Sequence, residues 1–170
     1  MNYKWIGAIC VLLSCGGCGF SMAASYQQEE RMYRNLIQII QYMRAELQYR
    51  LTSLPELCEK AGNEMGGSIG AVFICLSEEL KKQVMPDTAS CMRMILSVQR
   101  KIPTDICNIL MALSKILGRF DLEGQIQGLD SIKASCEQAL SVLQNHREER
   151  LRGYQTLGLC AGAALVILFI

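Results

Sequence analysis

Residues 32–56 read MYRNLIQIIQYMRAELQYRLTSLPE, and the fold class turns on how this stretch is read. Met32, Leu36, Ile39, Ile40, Met43, Leu47 and Leu51 recur at three- and four-residue steps. That spacing gathers apolar side chains on one face of an α-helix, whereas a strand would alternate with period two. Ser53-Leu54-Pro55-Glu56 then predicts a new helix start. Ser stands at the cap, Glu closes a capping box, and Pro occupies the first turn, where its missing N–H leaves no bond unmade.

Moving toward the C-terminus, Gly62, Gly66 and Gly67 are expected to close this short second helix. A third stripe of Ile69, Val72, Phe73, Leu76 and Leu80 runs to Val84, and Pro86-Asp87 breaks it. Asp87 is placed to cap a helix carrying Met94, Ile95 and Val98. After Pro103, Thr104 repeats the device for a stripe of Ile106, Ile109, Leu110, Leu113, Ile116 and Leu117. The last helix holds Leu122, Ile126, Leu129, Ile132, Cys136, Leu140 and Leu143, with no breaker before the apolar C-terminal stretch. All three prolines sit at helix boundaries, and no segment shows sustained period-two alternation. The prediction is an all-α fold: a six-helix antiparallel bundle over residues 26–152, joined by short loops.

Both ends of the chain differ from this middle. Trp5 to Tyr26 and Gly153 to Ile170 carry no charged side chain. About 20 apolar residues suffice to cross the hydrocarbon core of a bilayer as a helix. Residues 1–25 and 153–170 are therefore expected to be transmembrane segments flanking the bundle. Arg31, Arg34, Arg147, Arg150 and Arg152 lie on the bundle side of these segments, against Lys4 on the other. The excess of basic residues predicts a bundle on the cytoplasmic side of the membrane. Cys15 and Gly19 in the first segment, and Gly158 and Gly162 in the second, lie on small-residue faces suited to close helix packing in lipid. The two segments could pair with each other or with other subunits, and self-association of the chain stays open.

The middle of the chain offers little chemistry. Of 17 Lys and Arg only Lys4 lies outside residues 26–152, which leaves 16 basic side chains against 16 acidic ones. This balance, with 6% aromatic residues, argues against nucleic acid as a partner. Glu29-Glu30, Glu78-Glu79 and Glu148-Glu149 are adjacent pairs that diverge on a helix. The single histidine, His146, sits among charges, and no Walker A sequence is present. No catalytic residue, cofactor site or metal site is expected, and the chain reads as a non-enzyme. Cys15-x-x-Cys18 lies in an apolar run without a partner histidine. The five cysteines of the middle domain fall at positions flanked by Ile, Leu, Met and Val. They are expected to be unpaired core thiols, as suits a reducing compartment.

Two stretches carry a resemblance to a known family. MRAELQYRLTSLPE (43–56) resembles the region near the start of the stage III sporulation protein AB family, with Ser53 where that family has Pro. LGRFDLEGQI (117–126) is similar to its Leu-Gly-x-x-Asp-x-x-x-Gln signature, and RGYQTLGLCAGAALVILFI resembles its membrane tail. The matching residues are Glu46, Tyr49, Thr52, Leu54, Pro55, Glu56, Gly118, Asp121 and Gln125. The resemblance implies a membrane protein of endospore formation, in the mother-cell membrane facing the forespore. Its bundle would be similar to the cytoplasmic domains of F-type platform proteins of type II secretion. The implied partners are a stage III sporulation protein AA-like ATPase and the other membrane proteins of a mother-cell–forespore channel. On this reading Gly118 ends a helix and Asp121 caps the next. Glu46 and Gln125, with no evident local role, are the candidates for a polar contact between helices or with a partner. The candidate partner-binding set is Glu46, Gly118, Arg119, Asp121 and Gln125, at an exposed end of the bundle.

Two other functions compete with an energy-coupling platform. Leu12-Leu13-Ser14-Cys15 is compatible with a lipoprotein acylated on Cys15. A passive oligomeric membrane scaffold that contacts no ATPase would need only the small-residue helices.

Overall fold

The computed structural model describes the backbone of residues 2–49, 52–99, 101–118 and 121–169, and the side chains of those from 25 to 145. Among the described residues there are six helices and no strand. They are α1 (Asn2–Tyr49), α2 (Leu54–Met65), α3 (Gly67–Lys82), α4 (Thr88–Val98), α5 (Thr104–Ile116) and α6 (Leu122–Phe169). The N-terminal apolar stretch thus belongs to α1 and the C-terminal one to α6, rather than forming separate elements. Among the described residues no helix is long and apolar enough to cross a membrane. Cys15, Gly19, Gly158 and Gly162 fall where side chains are outside the described residues, as does His146. The chain divides into two compact units, Met1–Glu30 with Ser141–Ile170, and Arg31–Leu140. In the first, the Gln144 amide donates to Glu30 Oε1 over 3.0 Å, linking α6 to α1.

The core of the second unit follows the apolar stripes. Leu36, Ile39, Ile40 and Met43 of α1 are fully buried, as are Ile69, Val72, Phe73 and Leu76 of α3. From α5 come Ile106, Leu110 and Leu113, and from α6 Leu129 and Cys136. Each large apolar side chain buried in this way stabilises the fold by about 1.5–3 kcal/mol before entropy is counted.

Gly62 and Gly70 set how closely α2 and α3 meet. A Cβ on Gly62 would lie 2.7 Å from the Gly70 carbonyl oxygen, and one on Gly70 would lie 2.6 Å from that of Gly62. Backbone therefore rests on backbone at this crossing. Gly62 lies inside α2 and does not end it, because glycine is required there for approach rather than for termination. The helix closes at Gly66, which with Gly67 takes a positive φ and turns the chain back. Residue 62 meets 70 and 74 while Lys81 pairs with Glu59, so α2 and α3 run antiparallel.

Several helix boundaries depart from expectation. α3 stops at Lys82 because Gln83 adopts a left-handed φ of 54°, and Val84 is 76% exposed instead of extending the stripe. Ser53 and Asp87 stand at the cap positions of α2 and α4, yet neither side chain makes a capping bond. Glu56, expected to complete the box at Ser53, turns instead to Lys60 one turn on, 2.8 Å away. Pro103, not Thr104, occupies the cap position of α5. The inward face of α4 is Ala89, Cys91, Met92 and Ile95, whereas Met94 and Val98 face outward, Val98 79% exposed. Both sets have helical spacing, and the buried one is selected by the packing of α4 between α3 and α5.

Two substitutions test this packing by denaturant unfolding. Gly70→Ala forces a methyl into the Gly62 carbonyl and is expected to lose about 1–3 kcal/mol. Ala71→Ser, on the exposed neighbouring position, should change stability by less than about 0.5 kcal/mol. A Gly70→Ala protein as stable as the parent would refute the close crossing. Ser77 is 1% exposed and its hydroxyl has no hydrogen-bond partner. An unpaired buried hydroxyl costs about 1–3 kcal/mol. Ser77→Ala should therefore leave stability unchanged or raise it by up to about 1 kcal/mol, and a clear loss would contradict this.

Candidate functional site

Alternation of direction along the second unit brings the start of α2, the α3–α4 connection (83–87) and the end of α5 with Gly118 to one end. We call this end the tip. A groove of about 280 Å³ opens there. Its lining comes from Leu54 at the start of α2, Leu80 of α3, Met85, Pro86 and Asp87 of the α3–α4 connection, Thr88 and Ala89 of α4, and Ser114, Leu117 and Gly118 around the end of α5. The two sequence stretches singled out above, some 60 residues apart in the chain, thus meet at the tip.

Each element is held locally. Gly118 has φ +79°, the region that spares glycine the strain other residues would meet. A Cβ there would lie 3.3 Å from Leu54 Cδ2 and 3.6 Å from Thr88 Oγ1, so the turn closes directly on the α2 and α4 starts. Asp121 caps α6, its Oδ1 accepting from the Gly124 N–H at 3.3 Å. Gln125, one turn into α6, is half-buried, and its N–H donates to the Asp121 carbonyl at 2.9 Å. Gly128 lets α6 close on the last turn of α5, since a Cβ there would lie 2.5 Å from Ile116 Cγ2. Arg119 lies outside the described residues.

Glu46 is the charged side chain most deeply placed near the tip, 8% exposed. Its Oε1 accepts from the Tyr42 hydroxyl and its Oε2 from the Thr52 hydroxyl, each over 3.1 Å. The polar role that its spacing alone left unassigned is thus met inside the protein, between the end of α1 and the connection to α2. Burial, and then the bonded Glu46 carboxylate, hold the Tyr42 phenol above its ordinary pKa of 10.0. Lys60, bonded to Glu56 and near Glu46, is held above its ordinary pKa in turn. Arg44 Nε lies 2.9 Å from Asp130 Oδ1 and brings α6 alongside α1. Both of those side chains are nearly half exposed, so the pair contributes little to stability.

The tip also carries apolar side chains that water reaches: Tyr49, Val84, Met85 and Leu122. Sequence spacing had assigned Val84 and Leu122 to helix stripes. The signal that marks Val84 and Met85 is Pro86, because the residue before a proline is kept out of the helical region. Cys58, Cys75, Cys91, Cys107 and Cys136 are all free, and three of them are buried. Burial pushes the Cys58 thiol up to about 12 and the Cys136 thiol up to about 11, so both stay protonated at neutral pH. Among the described residues, no three His, Cys, Asp or Glu side chains gather as a metal site would require.

The described residues form an all-helical bundle in which stretches 43–56 and 117–126 converge on a partly apolar tip. A family model for stage III sporulation protein AB matches residues 4–170, and the chain belongs to that family. Stage III sporulation protein AB of Bacillus subtilis (strain 168) is 27% identical over 79 residues. That match takes in 46% of each protein, so it spans about half the length of the curated relative. A solved structure of stage III sporulation protein AB superposes with a TM-score of 0.62 at 15% identity, covering 72% of this chain and 98% of that one. It supports the all-helical fold.

The raised Tyr42 pKa has a consequence for stability. A phenol whose folded pKa exceeds its unfolded value contributes stability fully below the unfolded pKa, and loses it as pH rises through the folded one. Tyr42→Phe should cost about 0.5–1.5 kcal/mol near pH 7. Above about pH 10 its stability should fall less steeply than the parent's. Urea unfolding across that range measures both, and parallel curves would show that Tyr42 is not held by Glu46.

Proposed function

We propose that this protein is a non-enzymatic platform subunit of a membrane complex in endospore formation, coupling a cytoplasmic secretion-type ATPase to the membrane components. Family membership supports a role in sporulation. The finer reading is carried by one observation, the meeting of the family-like stretches 43–56 and 117–126 at a tip with a groove and exposed apolar side chains. Exposed apolar side chains beside a groove suit docking better than solvation. The uncharged stretches 5–25 and 153–170 would anchor the chain in the mother-cell membrane, with the bundle in the cytoplasm. The tip would then receive a stage III sporulation protein AA-like ATPase, and the anchors would meet the other proteins of the channel.

The test uses the full-length chain in detergent and capture of the purified ATPase. Val84→Glu with Met85→Glu is expected to weaken capture at least tenfold while leaving thermal unfolding unchanged. Val98→Glu, equally exposed but at the end of α4 away from the tip, should capture as the parent does. Loss of capture with Val98→Glu alone would move the docking surface elsewhere. Capture that survives the double substitution would leave a scaffold without ATPase contact as the better reading.

A further inference from the structure

The start of α2 forms one wall of the tip groove, yet its cap is not what anchors it. Ser53 makes no side-chain cap bond, Pro55 supplies no N–H, and Glu56 is drawn off to Lys60. The side-chain anchor of this turn is Thr52, whose hydroxyl reaches back to the buried Glu46 carboxylate of α1. Two residues after Thr52, Leu54 lines the groove, with its Cδ2 facing the turn at Gly118.

We propose that Glu46 is a positioning residue for the groove: by holding Thr52 it sets the place of Leu54 and so the spacing between the α2 and α5 walls. Displacement at the end of α1 is thereby passed to the groove through the Thr52–Glu46 bond as well as along the chain. Calling the groove a partner site rests on the docking function proposed above. The coupling of Glu46 to the position of Leu54 does not depend on it.

Methyl-labelled full-length protein in detergent tests the coupling directly. In the parent, a nuclear Overhauser contact between the Leu54 methyls and the Gly118 α-protons is expected. Thr52→Val keeps the shape and removes the donor, so this contact should fall to less than half its intensity. Thr52→Ser should restore it. The Leu110 and Leu36 methyl shifts, deep in the core, should not move in either variant. If Thr52→Val does not fold, Thr52→Ala, which also removes the hydroxyl donor, is read in the same way. An unchanged Leu54–Gly118 contact in a folded variant overturns the proposal. So does a change spread equally over the core methyls, which would mark a general loss of packing. Capture of the ATPase separates the two ideas. If Thr52→Val moves Leu54 while the Val84→Glu, Met85→Glu protein still captures normally, the positioning role stands and the docking function fails.

Discussion

The contact between the Gly62 and Gly70 backbones is the constraint from which the rest of the second unit follows. Two helices that meet through side chains keep their axes about 8–10 Å apart. Here each glycine leaves room for the other's carbonyl, and a single methyl on either would force the helices apart. That fixes α2 against α3, and it fixes where the first residues of α2 emerge. Leu54, eight residues before the crossing, is thereby carried to the same end of the bundle as Met85 and Leu117. A looser α2–α3 pair would leave the groove at the tip without one of its walls.

Much of this architecture was legible in the sequence, and the exceptions have physical causes. Most of the α1, α3 and α5 stripes is buried as the spacing requires, because each helix offers one apolar face; Leu80, Ile109 and Ile116 are half-buried, and Leu51 lies outside the described residues. α4 has two candidate faces of similar character, and only its neighbours decide between Met92–Ile95 and Met94–Val98. Gly62 looked like a helix terminator because glycine is poor inside helices, whereas the need for close approach overrides that preference. Cap residues were legible as positions but not as bonds: Asp121 makes its bond, while Ser53 and Asp87 do not. Whether a cap hydrogen bond forms depends on competing partners, as Lys60 shows for Glu56.

The same distinction applies to the candidate site. Gly118 and Asp121 could be assigned because their roles are local to one turn. Glu46 could not, since Tyr42 lies one turn before it on α1 but Thr52 lies beyond the end of the helix. No helical periodicity links residues 46 and 52, because α1 ends at Tyr49 between them. What the sequence does show is a Tyr and a Glu at i,i+4 on a helix, with a Thr three residues past its end, and that pattern is informative only once the chain bends back.

The left-handed Gln83 has a consequence for how the tip's surface arises. Leu76, Leu80 and Val84 share one helical row, so an α3 longer by a single turn would carry Val84 inward with the other two. One backbone dihedral of 54° redirects it, at a cost of about 1–2 kcal/mol for a residue other than glycine. The exposed Val84 is therefore the end of a core row cut short, turned outward by where one helix ends.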